Sequence, residues 1–582
     1  MKIFYLAIFC SSLLYVSCSP SANSDENIDF SDFSEDFVDE MWRLNPISAT
    51  YNGFHAYDDE LPIPNAARRA DLAAAYQKQL DQLKKIDFEA LSNSDKVDYK
   101  LIENQLESNL WYREAFKSYE WNPSNYNLGG AFFYVFKDEA KSLDERLAVI
   151  DTKLTAVPEY YEAAKANIKN PTKEHTDLAI AQVASSLDVL KNSVLDSVAI
   201  SSISPALKAS IETKVSHAEA AVNDYVAFLK EMRASKADND FRSFRIGSAL
   251  YSKKFDLDIN SGLSAEQLFA KALEAKGVAH TKMQELALRL WPKYFPGTEK
   301  PEGLEAVAQL IKKISESHTS KTGFVEEVRR QIPELEAFVK EKDLIYLDPN
   351  KPLVVRETPK YMRGVAGASV SAPGPYDKDA ETYYNVTPID DWSDEQAESY
   401  LREYNDYMLQ ILNIHEAIPG HYTQLVYSNE SPSLIKSLLG NGAMIEGWAC
   451  FSERMMLENG YGDGPTKDEM MLMYYKWNLR IICNAILDYG IHNLDWDREK
   501  VMDLLVNEAF QEDAEAEGKW KRATLSQVQL TSYFTGLTEI YDFKEEEKAR
   551  LGDAFSIKAF NEEFLSFGSA PVRLIKELMA DG

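Results

Sequence analysis

The sequence predicts a mostly α-helical protein with one small β element. Three observations carry that prediction. Apolar residues recur at three- and four-residue spacing among good helix formers, as in AARRADLAAAYQKQLDQLKKI over 66–86. Period-two alternation, the mark of half-buried strands, is scarce. A chain of 582 residues, 45% hydrophobic and 27% charged, has the length and composition to bury a large core. The formal net charge of −30 argues against nucleic acid as a partner, because binding it requires a basic surface that neutralises phosphates.

The elements follow in chain order. MKIFYLAIFCSSLLYVSC (1–18) has one Lys, an apolar run and then small residues, which reads as a secretory signal over 1–17. Its end, LYVSC, resembles a bacterial lipobox with Cys18 as the lipidated residue, although Tyr15 stands where Leu is usual. The alternative is a plain secreted chain cut near Ser17. Residues 18–30 lack periodicity and read as a tether, so the membrane is an expected partner through lipid on Cys18. No other stretch approaches 18 consecutive apolar residues. Helices are expected at 66–86, 94–116, 143–168 (two helices meeting near Pro158), 174–194, 205–233, 264–291, 303–317 and 322–342. Together these make an N-terminal helical region, 31–342, expected to form one integrated unit with a second helical region, 343–582. DLIYL and PLVVRE (343–357), separated by the turn signal DPNK, read as paired strands, and ETYYNVTP (381–388) as another. The Gly-, Ser- and Pro-rich GVAGASVSAPGPYD (364–377) reads as a loop, either a plain connector or a segment that binds substrate backbone. A long helix is then expected from the Ser393/Gln396 capping box to Gly420. Of four cysteines, Cys10 leaves with the signal and Cys18 carries lipid. Cys450 and Cys483 lie in apolar helical segments and read as buried free thiols, with a disulfide as the alternative.

The end of that long helix, NIHEAIPGHY (413–422), holds two of the eight histidines. Zinc hydrolases of the H-E-x-x-H type need two imidazoles one turn apart on a single Zn²⁺, and a Glu beside the first that reaches metal-bound water as general base. Here that assigns His415 and His421 as ligands and Glu416 as base. On an ideal helix, however, positions i and i+6 are about 120° apart, against about 40° for i and i+4. Pro419 opposes the helix by clashing with the His415 carbonyl, and Gly420 then tolerates unusual backbone. A bulge or kink at Pro-Gly would return His421 towards His415. The alternative is a helix that stops at Gly420 with two ordinary histidines. A third ligand is expected on a second helix, and Glu446 in NGAMIEGWACFSERMMLENGYG (441–462) lies among apolar neighbours, where a carboxylate needs a charge partner or a metal. Glu453 is seven residues on, nearly the same helix face, and is placed to orient a histidine ligand or to form an ordinary ion pair.

HEAIPGHY, with EGWACFSE about thirty residues later, resembles the H-E-x-x-P-G-H and E-G-W-A motifs of bacterial domain-of-unknown-function family number eight hundred and eighty-five. LNPISATYNGFHAYDDELP (44–62), RIICNAILDYGIHNLDW (480–496) and QVQLTSYFTG (527–536) are similar to further segments of that family. The resemblance implies a gluzincin-like, multi-helix peptidase fold with its small β element around the active-site cleft. It implies one Zn²⁺ per chain and a metallopeptidase acting on peptides in the cell envelope. It implies Tyr533 and His492 as oxyanion donors, Arg480 as a fork for a substrate carboxylate, and Asp488 as a supporting residue. For Arg480 an ion pair to Asp488 or Glu453 is an equal alternative. Two departures stand out. The family usually has His where this chain has Tyr422, the i+7 position that would face His415 on an ideal helix. It usually has Pro-Gly where this chain has Gln527-Val528. The alternatives to a peptidase are a catalytically degenerate envelope-binding lipoprotein and a metal hydrolase of a non-peptide amide or ester.

Overall fold

The computed structural model describes residues 28–138, 140–358, 367–372, 374–376, 381–431 and 433–580. The signal segment, Cys18 and most of the tether lie outside them. The fold is mostly α, with one three-stranded sheet. The first described helix, Phe30–Leu44, starts one residue inside the expected tether because Asp29 caps it through its side chain. The periodic segments become helices at Ala66–Leu83, Asn93–Trp111, Lys173–Ser185, Pro205–Ser235, Ala265–Tyr294, Leu304–Ile314 and Phe324–Glu341. The 143–168 segment divides into Leu143–Leu154 and Val157–Asn167, with Pro158 in the first turn of the second, where its missing N–H leaves no bond unmade. No described helix is long and apolar enough to cross a membrane. One apolar core runs from Phe30 to Met579 and so draws on both halves of the chain; a second fills the helices between Leu61 and Leu229.

Three local expectations are corrected. DLIYL is not a strand: Asp343 takes a left-handed conformation (φ 51°) and the Leu344 N–H bonds the Val339 carbonyl, so this segment ends the preceding helix. The strand β1 (Leu353–Glu357) instead pairs in parallel with β3 (Thr382–Val386), in register Leu353 with Thr382. The 364–377 stretch is not wholly a loop, because β2 (Ala368–Ser371) pairs antiparallel with β3 and completes the order β1-β3-β2. The long helix after Ser393 is two helices, Asp394–Glu403 and Met408–Glu416. Its capping box is present, but buried Asn405 interrupts it: the Asn405 Oδ1 accepts from the N–H groups of Tyr407 and Met408 and starts a new helix.

The sheet is tied to this new helix. Tyr384 on β3 donates to Asn413 Oδ1 (2.8 Å), and Asn413 Nδ2 donates to Gln331 (2.8 Å) on Phe324–Glu341. Beneath it, helices Gly442–Glu458 and Ser532–Leu551 cross at Gly447 and Gly536. A methyl carbon on Gly447 would lie 2.4 Å from the Gly536 backbone, and one on Gly536 would lie 1.8 Å from the Ala443 carbonyl oxygen. Only glycine permits that approach, and it sets the depth at which Glu446 and Tyr533 stand.

Candidate metal centre

The chain turns a corner between two helices at the motif. Met408–Glu416 ends, the Ile418–Pro419 peptide bond is cis, and His421–Glu430 begins at the second histidine. The N–H groups of Ile418 and Gly420 bond back to the carbonyls of Asn413 (3.2 Å) and Ile414 (3.0 Å). Gly420 is pressed so closely on the first helix that a methyl carbon there would lie 1.9 Å from the His415 carbonyl oxygen. Glycine is required by close approach, its φ being −73°. The Pro419 carbonyl at the corner accepts from the Trp448 indole N–H (2.9 Å) and from Ser452 (3.3 Å), so the E-G-W-A helix docks the corner. The expected bulge within one helix is therefore a break between two.

The break settles the spacing. His415 and His421 face each other with ring centroids 4.8 Å apart and planes at 86°. Tyr422 turns away: it is buried, and its hydroxyl donates to the Lys351 carbonyl. Ideal-helix periodicity, which favoured the i+7 residue, does not apply across a corner. Glu446 completes the group. Its Oε2 lies 3.7 Å from His415 Nε2 and 3.4 Å from His421 Nε2. Tetrahedral zinc with ligand bonds near 2.0–2.2 Å places neighbouring ligand atoms about 3.3–3.5 Å apart. The donor set, two imidazoles and a carboxylate with all ligand atoms within 4.8 Å, fits that ion. The side chains of His421 and Glu446 keep 15% and 22% of their surface exposed, so the group is reached from solvent.

Behind it, His415 Nδ1 donates to Glu453 Oε1 at 2.6 Å, and Trp477 Nε1 donates to the same oxygen at 2.9 Å. This fixes the His415 tautomer and leaves Nε2 for the cleft. Burial raises the Glu453 carboxyl above its ordinary range, with the hydrogen bonds from His415 and Trp477 pulling against it. Burial opposes charge on His415, but Cys450, Glu446 and Glu453 around it outweigh that and hold its proton affinity high. Burial likewise works against charge on Glu446, yet the two histidines keep it ionised. Cys450 also lies close to His415, as an alternative donor with Glu453, but burial pushes its thiol up to about 12, so it stays protonated. Cys450 and Cys483 are both free and buried. A separate group, His55, Asp58 and Asp138, already holds an ammonium: Lys141 Nζ bonds Asp58 (2.6 Å) and Asp138 (2.9 Å).

Glu416 is half-buried beside this group; burial raises its carboxyl, and His421 and His415 draw it down. Tyr533 is half-buried near Glu446 and His415. Burial and the Glu446 charge raise its phenol, which stays protonated at neutral pH, and its hydroxyl lies 3.4 Å from Arg522 Nη2. The remaining predicted residues stand apart. His492 lies about four turns along Lys467–Asn493 from Trp477. It is buried against Tyr251 and Phe244, with Nε2 3.0 Å from the Ala523 carbonyl oxygen. Asp488 accepts from Tyr251 (2.6 Å) and from the Val528 N–H (2.9 Å), holding the turn before Tyr533. Val528, where Gly is usual, takes φ 73°, a conformation that favours glycine. Arg480 pairs with Glu515 (2.6 Å) and Glu403 (3.4 Å), neither of which is the partner expected for it.

Trp477 and Arg522 are not singled out by sequence reasoning, and Cys450 is read there only as a buried free thiol, not as a neighbour of the site. Cys450 had a signal, since it is one helical turn from Glu446 on the same face. Trp477 and Arg522 had none, because both reach the site from other helices.

A family model described as "Bacterial protein of unknown function (DUF885)" matches residues 46–579. A solved structure from Shewanella oneidensis, described as "a putative lipoprotein of unknown function", is 51% identical with a TM-score of 0.89, covering 95% of this chain and all of that one. Another from Colwellia psychrerythraea, likewise described as a lipoprotein, is 16% identical with a TM-score of 0.77, covering 95% of this chain and 98% of that one; at that identity the likeness is one of fold. No curated protein matches the sequence.

Proposed function

The chain belongs to the bacterial family of unknown function DUF885, and we propose that it is a zinc-dependent, gluzincin-like metallopeptidase that hydrolyses peptide bonds in the cell envelope. One observation carries this reading: His415 and His421 and the Glu446 carboxylate, from three helices, bring their ligand atoms within 4.8 Å of one another, with Glu446 Oε2 3.4 and 3.7 Å from the two Nε2 atoms, close to the spacing of ligands on one zinc ion. Bound there, zinc supplies Lewis acidity towards a carbonyl oxygen and lowers the pKa of water to about 7.

The chain's own residues supply the rest. Glu416, next to the first ligand in the chain and half-buried beside both histidines, takes the proton from the attacking water and returns it to the departing amine. Tyr533, protonated and half-buried, donates to the oxygen that gains charge as the carbonyl carbon becomes tetrahedral. Glu453 and Trp477 hold the His415 ring in one orientation. The lipoprotein description of the relatives supports lipid on Cys18 and an exported, membrane-anchored chain.

Purified protein is expected to hold about one zinc per chain by mass spectrometric metal analysis. Glu416→Gln is expected to keep that zinc and lose cleavage of a peptide library. Full activity in chelator-treated, metal-free protein would overturn the proposal.

A further inference from the structure

Arg480, the arginine first assigned to a substrate carboxylate, is already engaged. Around it Glu403 and Glu515 are matched by Lys476 (2.6 Å to Glu403) and by Arg480 itself. The neighbouring helix, Asp513–Leu525, turns two further basic side chains, Lys519 and Arg522, towards Arg480 and Tyr533. Glu515, Lys519 and Arg522 are spaced i, i+4 and i+7, so they form one stripe along that helix. Lys519 is buried, and its Nζ bonds only neutral acceptors, Asn484 Oδ1 (2.8 Å) and the Arg480 carbonyl (3.4 Å). Arg522 is exposed, and its guanidinium likewise meets neutral groups, Gln529 Oε1 (2.7 Å) and the Tyr533 hydroxyl (3.4 Å). Among the described residues neither side chain has a carboxylate within ion-pair distance; burial and the neighbouring Arg480 hold the Lys519 amine well below the ordinary lysine range, so Arg522 carries the charge here. Arg522 is thus an exposed guanidinium with no counter-charge, and it touches the tyrosine beside Glu446 and His415.

We infer that Arg522 binds a carboxylate group of the substrate at the mouth of the metal centre. The Arg522 fork offers paired donors that match a carboxylate. Its contact with Tyr533 places that anion next to the group proposed to stabilise the oxyanion. A peptide presents a carboxylate either at its C-terminus or on an Asp or Glu side chain, and the geometry admits both. This inference rests on the peptidase reading for its substrate class.

The test uses zinc-loaded full-length protein and a peptide library in four forms: C-terminal acid or amide, each with Glu or Gln at its acidic positions. Cleavage is read by mass spectrometry, and binding to the Glu416→Gln protein by calorimetry. The expected result is a preference of about 10- to 100-fold for the form carrying the recognised carboxylate, expressed mainly in KM. In Arg522→Gln that ratio is expected to fall to about one, with partial recovery in Arg522→Lys. The ratio does not depend on how much of a variant is folded, so a merely structural arginine would leave it unchanged. Preference for acid over amide assigns the chain end; preference for Glu over Gln assigns a side chain. Cleavage without either preference, or a ratio unchanged in Arg522→Gln, overturns the inference and leaves the peptidase reading standing. Carboxylate-dependent binding without cleavage does the reverse. Neither binding nor cleavage overturns both.

Discussion

At residue scale the centre depends on which ring nitrogen faces the cleft, and that is set by Glu453 and Trp477 rather than by the ligands themselves. Glu453→Gln exchanges a charged acceptor for a neutral one and is expected to weaken zinc binding by about 10- to 100-fold. Competition with a chromophoric chelator measures this, and unchanged affinity would remove Glu453 from the orienting role. Much of the residue-level content was legible in the sequence. His415, Glu416, His421, Glu446 and Glu453 all come to one place. His492, Asp488 and Arg480 were chosen because they sit in a similar segment, and such likeness does not say which side of a helix faces the cleft. Their contacts are with Ala523, Val528, Glu403 and Glu515, all from segments distant from their own helix.

At the scale of elements, the site is a meeting of helices, and its precision comes from two close approaches. One is Gly420 on the end of the motif helix; the other is the Gly447–Gly536 crossing. Gly536→Ala must drive a methyl into the Ala443 carbonyl, so the two helices separate and Glu446 and Tyr533 move apart. Melting temperature and zinc affinity are expected to fall together, whereas a variant with normal affinity would show that the crossing does not set the ligand position. Ion pairs fix the neighbouring helices. Glu403 on Asp394–Glu403 is buried, which opposes its charge, yet Lys476 and Arg480 hold its carboxyl below the ordinary range. A lowered carboxyl binds protons less readily in the folded chain than in the unfolded one. Its contribution is therefore complete above the unfolded value, about 4.3, and is lost as pH falls through the folded value. Glu403→Gln is expected to cost about 3–5 kcal/mol at neutral pH and to flatten the acid limb of the stability profile, measured by urea titration across pH. An acid limb identical to that of the wild type would show that this carboxyl does not titrate with unfolding.

For the whole molecule, a zinc ion bound at the proposed site would tie three helices that share one core. The candidate ligands come from Met408–Glu416, His421–Glu430 and Gly442–Glu458, and all three helices pack into the core that runs from Phe30 to Met579. An ion that binds only the folded state stabilises it by mass action, by about 2.7 kcal/mol at a free concentration one hundred times Kd. Treatment with chelator is expected to lower the melting temperature, and readdition of zinc to restore it. Identical calorimetric traces with and without chelator would mean that the folded chain binds no such ion.

The sequence by itself determined the helical character, most helix positions and the donor set, because helices and caps are local. Their periodicity and end signals lie within a few residues of one another. Seven well-separated periodic segments therefore folded where their pattern placed them, and the Ser393 capping box formed as written. Only the tertiary structure decided that Asn405 breaks the expected long helix into two, that the Pro-Gly corner starts another at His421, that β1 pairs with β3 in parallel, and that His421 rather than Tyr422 faces His415. Each of these outcomes depends on a partner remote in the chain: Trp448 for the corner, Lys351 for Tyr422, and Thr382–Val386 for β1. Spacing along one helix cannot specify an angle between two, and in this protein that angle brings the ligands together.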